Sequence, residues 1–171
     1  MNRITLANKA LCQTVLSELI LLLQDSVNSG ASIGYVSTPS NETATQYWQE
    51  VAEQLESSNK QLLLKFEGNK VVGTVQLSIC GKENGRHRAE VEKLMVHSEH
   101  RGKGHAKSLM TELEQIANKL KVKLLILDTK EGDAASFLYP KLGFQMAGKI
   151  PQFAMNIDGK MDATIYFYKP I

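Results

Sequence analysis

A glycine-punctuated turn running into a strongly amphipathic helix constrains this chain more than any other stretch. The segment Val96-His97-Ser98-Glu99-His100-Arg101-Gly102-Lys103-Gly104-His105-Ala106 follows an extended apolar run and opens a helix. From Lys103 to Lys119, and on to Leu120, the residues Ala106, Leu109, Met110, Leu113, Ile116 and Ala117 recur at the spacing of a helix with one buried face. Such a helix packs against a sheet. Where a strand feeds a helix this way, the first amide N–H groups have no acceptor and the helix dipole adds partial positive charge. Gly102 and Gly104 keep side chains out of the approach, and Arg101, Lys103 and Lys107 supply charge at the rim. The stretch therefore suits a phosphate group, the plainer reading being a solvated turn. Two other phosphate motifs fail. A P-loop ending at Lys107-Ser108 needs glycine where Arg101 and Ala106 stand, and a dinucleotide fingerprint begun at Gly102 needs glycine or alanine at Lys107.

The surrounding pattern alternates helices and strands. Leu11, Val15, Leu19, Leu22 and Leu23 predict one helix over Asn8–Asn28, ending near Gly30. Asn41-Glu42-Thr43 reads as the cap of a second helix reaching Ser57, with Trp48, Val51, Ala52 and Leu55 on its apolar side. Gln61–Phe66 and Val71–Ile79 read as a hairpin joined through Gly68 and Asn69, and Glu90–Val96 as the next strand. Val122–Leu127 is a nearly continuous apolar run, which predicts a central strand covered on both faces. A short helix over Ala134–Leu142 and strands at Phe144–Lys149 and Thr164–Tyr168 complete the chain.

Size and charge narrow the partners. The 171 residues are 43% hydrophobic and suit one domain over 1–171, and a net charge of +2 gives no field that calls for nucleic acid or a membrane. Cys12 and Cys80 stand far apart, outside any Cys/His cluster, and read as buried thiols of a reducing compartment. The start of the chain lacks the pattern of a secretory leader, and the run Leu16–Leu23 is short and interrupted by Ser17 and Glu18, so a cytoplasmic location is expected.

Arg101-Gly-Lys-Gly-His-Ala106, preceded by Leu94-Met95-Val96, resembles the acetyl-CoA signature of the GNAT N-acetyltransferase superfamily. Ala134-Ala-Ser-Phe-Leu-Tyr139-Pro-Lys-Leu-Gly143-Phe144 is similar to a later element of the same superfamily, in the expected order. The resemblance implies an α/β (α+β) fold: a mixed, strongly twisted sheet flanked by helices, with a V-shaped splay between two central strands. It implies that Leu94, Met95 and Val96 hold the pantetheine arm of acetyl-CoA. Arg101, Gly102, Lys103, Gly104, His105, Ala106 and Lys107 would then hold the pyrophosphate. Gly30–Tyr35, Arg88–Val96, Leu127–Thr129 and Asp158–Tyr166 look more narrowly like the tabtoxin resistance group, which suggests a small amino-acid-like amine.

Acetyl transfer to an amine needs a base, and a carboxylate serves. Glu90 and Glu92 alternate onto one face of their strand, and Asp128 stands at the end of the apolar strand, where α/β sheets line crevices. Superfamily alignment points to Glu90, the narrower resemblance to Asp128; Asp128 is the first expectation, Glu90 the second and Glu92 the third. Tyr139 occupies the position of the acid that protonates the departing sulfur, and so also touches the coenzyme. Gly132 stands where many relatives carry Asn. The spacing of His97, His100 and His105 suggests rim positions and no metal site. The expected partner is a small-molecule amine, with the chain a monomer or homodimer. Acetylation of a peptide or protein amine, and a non-catalytic CoA-binding module, are the alternatives.

Overall fold

The computed structural model describes residues 2–171. Seven strands form one mixed sheet: β1 (Asn2–Leu6), β2 (Lys60–Glu67), β3 (Lys70–Ile79), β4 (Arg88–Val96), β5 (Leu124–Lys130), β6 (Gln145–Met155) and β7 (Met161–Pro170). Their spatial order is β1-β2-β3-β4-β5-β7-β6, and every neighbouring pair is antiparallel except β4 with β5. Helices α1 (Lys9–Thr14), α2 (Leu16–Asn28) and α3 (Asn41–Gln54) precede β2, α4 (His105–Lys119) links β4 to β5, and α5 (Ala134–Lys141) follows β5.

Two apolar cores sandwich the sheet, and strand alternation assigns residues to them. Leu62, Leu64 and Phe66 of β2 pack with Leu19, Leu22, Leu23 and Trp48 of α2 and α3. Leu63, between them in sequence, joins Leu109, Leu113, Leu125 and Tyr139 on the opposite side. Trp48 brings a polar nitrogen into the first core, and its Nε1–H donates to the Leu19 carbonyl at 2.9 Å. Cys12 belongs to this core, whereas Cys80 is only half-buried, against the expectation of two buried thiols.

Several boundaries depart from the sequence reading for local reasons. The single helix expected over Asn8–Asn28 breaks at Val15, whose φ of −106° and ψ of 20° leave the helical region. The apolar spacing runs across the break and conceals it, while Thr14 Oγ1 donates back to the Ala10 carbonyl at 2.9 Å, a bond that competes with helix continuation. Helix α3 is capped by Ser40, whose Oγ accepts from the Thr43 amide at 3.1 Å, and it ends at Gln54. Strand β1, which the sequence reading left out, hydrogen-bonds along β2 at the sheet edge. Strand β5 begins two residues late, because Lys121 takes a φ of +61° in the turn before it, and extends to Lys130. Only Leu125 and Leu127 of β5 are fully buried, so it is covered on one face and half-open on the other. Among the described residues no helix is long and apolar enough to cross a membrane.

Candidate active site

Strands β4 and β5 run side by side only from Arg88/Leu124 to Glu90/Ile126 and then part, β4 continuing to Val96 and β5 to Lys130. This opening is the V-shaped splay. On its other edge β4 carries a bulge: Glu92 pairs with Gln76 but Met95 with Thr74, leaving one extra residue on β4, with Lys93 at a φ of +51°. The bulge reverses the side-chain alternation. Ala89 and Val91 face the second core, yet Met95, four residues beyond Val91, faces the first.

Two cavities adjoin at the splay, of about 470 and 460 Å³, sharing Ala31, Leu94, Asp133 and Ala135. The first is lined by Leu94, Met95 and Val96 and then by Arg101, Gly102, Gly104, His105, Ala106 and Lys107. Gly102 and Gly104 hold φ of +75° and +80°, and an added Cβ would meet nothing within 4 Å at either. Their role is therefore the left-handed backbone rather than close packing. Gly104 caps α4 without any side-chain bond, and the first amide there to find a backbone acceptor is Ser108, which donates to the Gly104 carbonyl. The amides of His105, Ala106 and Lys107 stay free for an anion. Arg101 Nε donates to the Val96 carbonyl at 3.0 Å, bracing the turn, and Asp25 of α2 accepts from the Ser98 amide and hydroxyl at 2.8 and 2.6 Å. Ser26, Ser29 and Gly30 form the opposing wall, and no motif announced the two serines.

Two residues expected to bind the coenzyme do not line this cavity. Lys103 is exposed outside it, and Tyr139 lines the second cavity. His105 lines the first cavity, but its side chain is buried, tied to Glu67 at 2.7 Å, not placed at the rim as the sequence suggested. Met95 is buried in the first core, so what it offers the cavity is backbone.

The second cavity gathers the three expected acids with Tyr139. Asp128 lies within β5 rather than at its end, and its Oδ2 accepts from Thr164 Oγ1 at 2.8 Å. Burial, the Glu92 charge and the Asp128 charge all push the Glu90 carboxyl above the usual carboxylate range. Glu92 behaves oppositely. Burial opposes its ionisation, yet the Ser78 hydroxyl and the Lys60 ammonium, 2.9 Å away, hold it below the usual range. Burial, then the Asp128 charge, pushes the Tyr139 phenol far above its ordinary value, so it keeps its proton at neutral pH. Its ring packs against Phe144 and Phe167 at 5.6 and 5.8 Å.

Sequence reasoning missed Lys93 and Asp133. Lys93 Nζ donates to the Ile33 carbonyl at 2.8 Å and fastens the Gly30–Ser40 loop over the cleft, while burial lowers its pKa. Asp133 caps α5 just after Gly132, whose φ is +83°, and makes no side-chain cap bond. It borders both cavities, and burial raises its pKa. An aspartate ahead of Ala-Ala-Ser was the available signal.

The acetyltransferase (GNAT) family profile matches residues 31–144, about two thirds of the chain. N-acetyltransferase 8F1 of Rattus norvegicus is 36% identical over 84 residues, 48% of this chain and 38% of that protein, so the match spans well under half of the relative's length. Ribosomal-protein-alanine N-acetyltransferase from Brucella melitensis superposes with a TM-score of 0.81 at 24% identity, covering 99% of both chains. A phosphinothricin acetyltransferase from Sinorhizobium meliloti, solved with acetyl-CoA, gives 0.80 at 19% identity, covering 99% of this chain and 88% of that one. At these identities the likeness is one of fold.

Proposed function

Because this chain belongs to the acetyltransferase (GNAT) family, we propose that it moves an acetyl group from acetyl-CoA to the primary amine of a small, amino-acid-like metabolite or antimetabolite. One observation carries the reading: two cavities of similar size meet at Leu94 and Ala135, one edged by free helix amides, the other by Glu90, Asp128 and Tyr139. The first fits the coenzyme through those amides, the left-handed glycines and the exposed backbone of Leu94–Val96. When bound there, the coenzyme supplies an activated acetyl thioester.

The remaining work falls to the chain's own side chains. Asp128, oriented by Thr164, attracts and positions the substrate ammonium. Glu90, with its raised pKa, takes the proton that must leave before nitrogen can attack. Tyr139 keeps its phenolic proton at neutral pH and donates it to the departing sulfur. The parted edge of β4 beside the bulge supplies backbone N–H groups for the carbonyl oxygen. Glu92, neutralised by Lys60, is a structural ion pair in this scheme and not a base. Similarity to the tabtoxin resistance group favours an amino-acid-like amine.

A second reading, acetylation of a peptide amine, draws support from a third cavity of about 290 Å³ that shares Ala31, Ser32, Lys130 and Asp162 with the amine-facing one. Together they form a longer groove. The deciding experiment is free-thiol release from acetyl-CoA against amino acids, β-lactam amino acids, polyamines, aminoglycosides and peptides. Fastest turnover of a small amino acid is expected; preference for peptides establishes the second reading, and tight CoA binding without thiol release rejects both.

A further inference from the structure

The three histidines around the phosphate turn differ in surroundings, and a residue distant in sequence creates the difference. Glu67, the last residue of β2, enters the space between the short 3-10 turn Ser98–His100 and the first residue of α4. Its Oε1 lies 2.7 Å from His105 Nε2 and its Oε2 lies 2.9 Å from His100 Nδ1. The second contact is not aligned as a hydrogen bond, so His100 Nδ1 is buried without a partner. The His105 side chain is only 4% exposed. Two imidazole nitrogens and a carboxylate oxygen thus lie within 4.8 Å of one another. His97 stands apart, edge-on to His100 at 5.8 Å and turned toward Asp25 at 3.9 Å.

We propose that Glu67, His100 and His105 form a binding site for a divalent transition-metal ion, with zinc the ion of best fit. Two neutral imidazoles and one carboxylate are a donor set that zinc accepts, leaving a fourth position open. Calcium and magnesium demand more oxygen ligands than one carboxylate provides. With metal–ligand bonds of about 2.0–2.1 Å, tetrahedral ligand atoms stand about 3.4 Å apart. The Glu67 contacts of 2.7 and 2.9 Å therefore need to open by about 0.7 and 0.5 Å, a side-chain adjustment. Lys103 acts against the site by placing positive charge near Glu67, but its side chain is exposed and not fixed by any ion pair. The ion would join the β2–β3 hairpin to the start of α4. His100 and His105 also line the coenzyme cavity, so metal and coenzyme affinities are linked, each altering the other by the same factor.

The test uses the full chain stripped of metal with a chelator, titrated with ZnCl2 by calorimetry and with CoCl2 by visible absorption. One zinc ion per chain with micromolar or tighter affinity is expected, together with a cobalt band of tetrahedral intensity. Glu67→Gln and His100→Gln should each weaken zinc binding by at least about tenfold, and His97→Gln should leave it unchanged. Circular dichroism checks that the variants fold, and the cobalt spectrum is read on the unsubstituted chain, where folding is not in question. Absence of saturable one-to-one binding there, or unchanged affinity in both ligand variants, overturns the proposal and reduces the trio to a clasp between hairpin and helix.

Discussion

The two cavities that meet at the splay are built in opposite ways. The one proposed to take the coenzyme draws most of its lining from a single continuous stretch, Leu94 to Lys107, and its chemistry is that of backbone amides. The one proposed to face the amine draws Glu90 from β4, Asp128 from β5, Tyr139 from α5 and Thr164 from β7. Amide recognition is a property of consecutive residues, because a left-handed glycine and a helix start are local events. A carboxylate's protonation depends on what lies across the fold. Glu90 and Glu92, two residues apart on one strand, are shifted in opposite directions because hydrogen bonds from the Ser78 hydroxyl and the Lys60 ammonium overcome burial at Glu92, whereas burial and the Glu92 and Asp128 charges prevail at Glu90.

This contrast makes the two halves separable by mutation. The largest effect belongs to the amine-facing half: Tyr139→Phe should lower kcat by about 10²-fold while leaving the KM for acetyl-CoA nearly unchanged, because Tyr139 does not line the first cavity. A rise in that KM with kcat intact would break the division. Asp128→Asn should reduce kcat/KM for the amine by about 30-fold, within the range of acid–base and charge-positioning effects, with direct CoA binding by calorimetry unaltered. Equal loss in both measurements means that Asp128 supports the fold of the splay instead.

In the coenzyme-facing half, Gly104→Ala must hold a φ of +80° with a Cβ present, which costs roughly 1–2 kcal/mol, and acetyl-CoA affinity should fall by about tenfold. The amine KM should not move. The smallest effect concerns pH. In the proposed mechanism Glu90 must be ionised to act as base, and its carboxyl is raised first by burial and then by Glu92 and Asp128, so kcat/KM should fall as pH drops through that raised value. Removing the Asp128 charge lowers the Glu90 pKa, so the acid limb of Asp128→Asn should move toward lower pH. An acid limb that stays in place assigns the titration to another group, with Asp133 the first to examine.

Most of the architecture was readable because burial imposes periodicity. The α4 stripe, the Gly68-Asn69 hairpin and the extended runs of β2 and β3 each follow from which residues must leave water. Errors came where a single residue decides conformation within an unbroken pattern. Val15 interrupts a helix whose leucines keep their spacing, Lys121 delays a strand whose apolar run has already begun, and Lys93 reverses the facing of β4 with no glycine to mark it. At the site, Tyr139, Glu90 and Asp128 line one cavity together, whereas Lys103 stays exposed outside the first cavity and the His105 side chain is buried against Glu67. Nothing in the spacing of the histidines points to a glutamate 38 residues before His105.

By itself the order of residues determined what neighbouring residues decide together: a helix start with free amides, its left-handed glycines and the apolar faces that stack on either side of a sheet. Only the tertiary structure decided which acid is neutralised and which is raised, where β4 parts from β5, and that Glu67 enters between two histidines. The reason is physical. Torsion preferences and hydrophobic period act over a few residues along the chain, but electric fields, desolvation and ligand geometry act through space, between groups that only folding brings together.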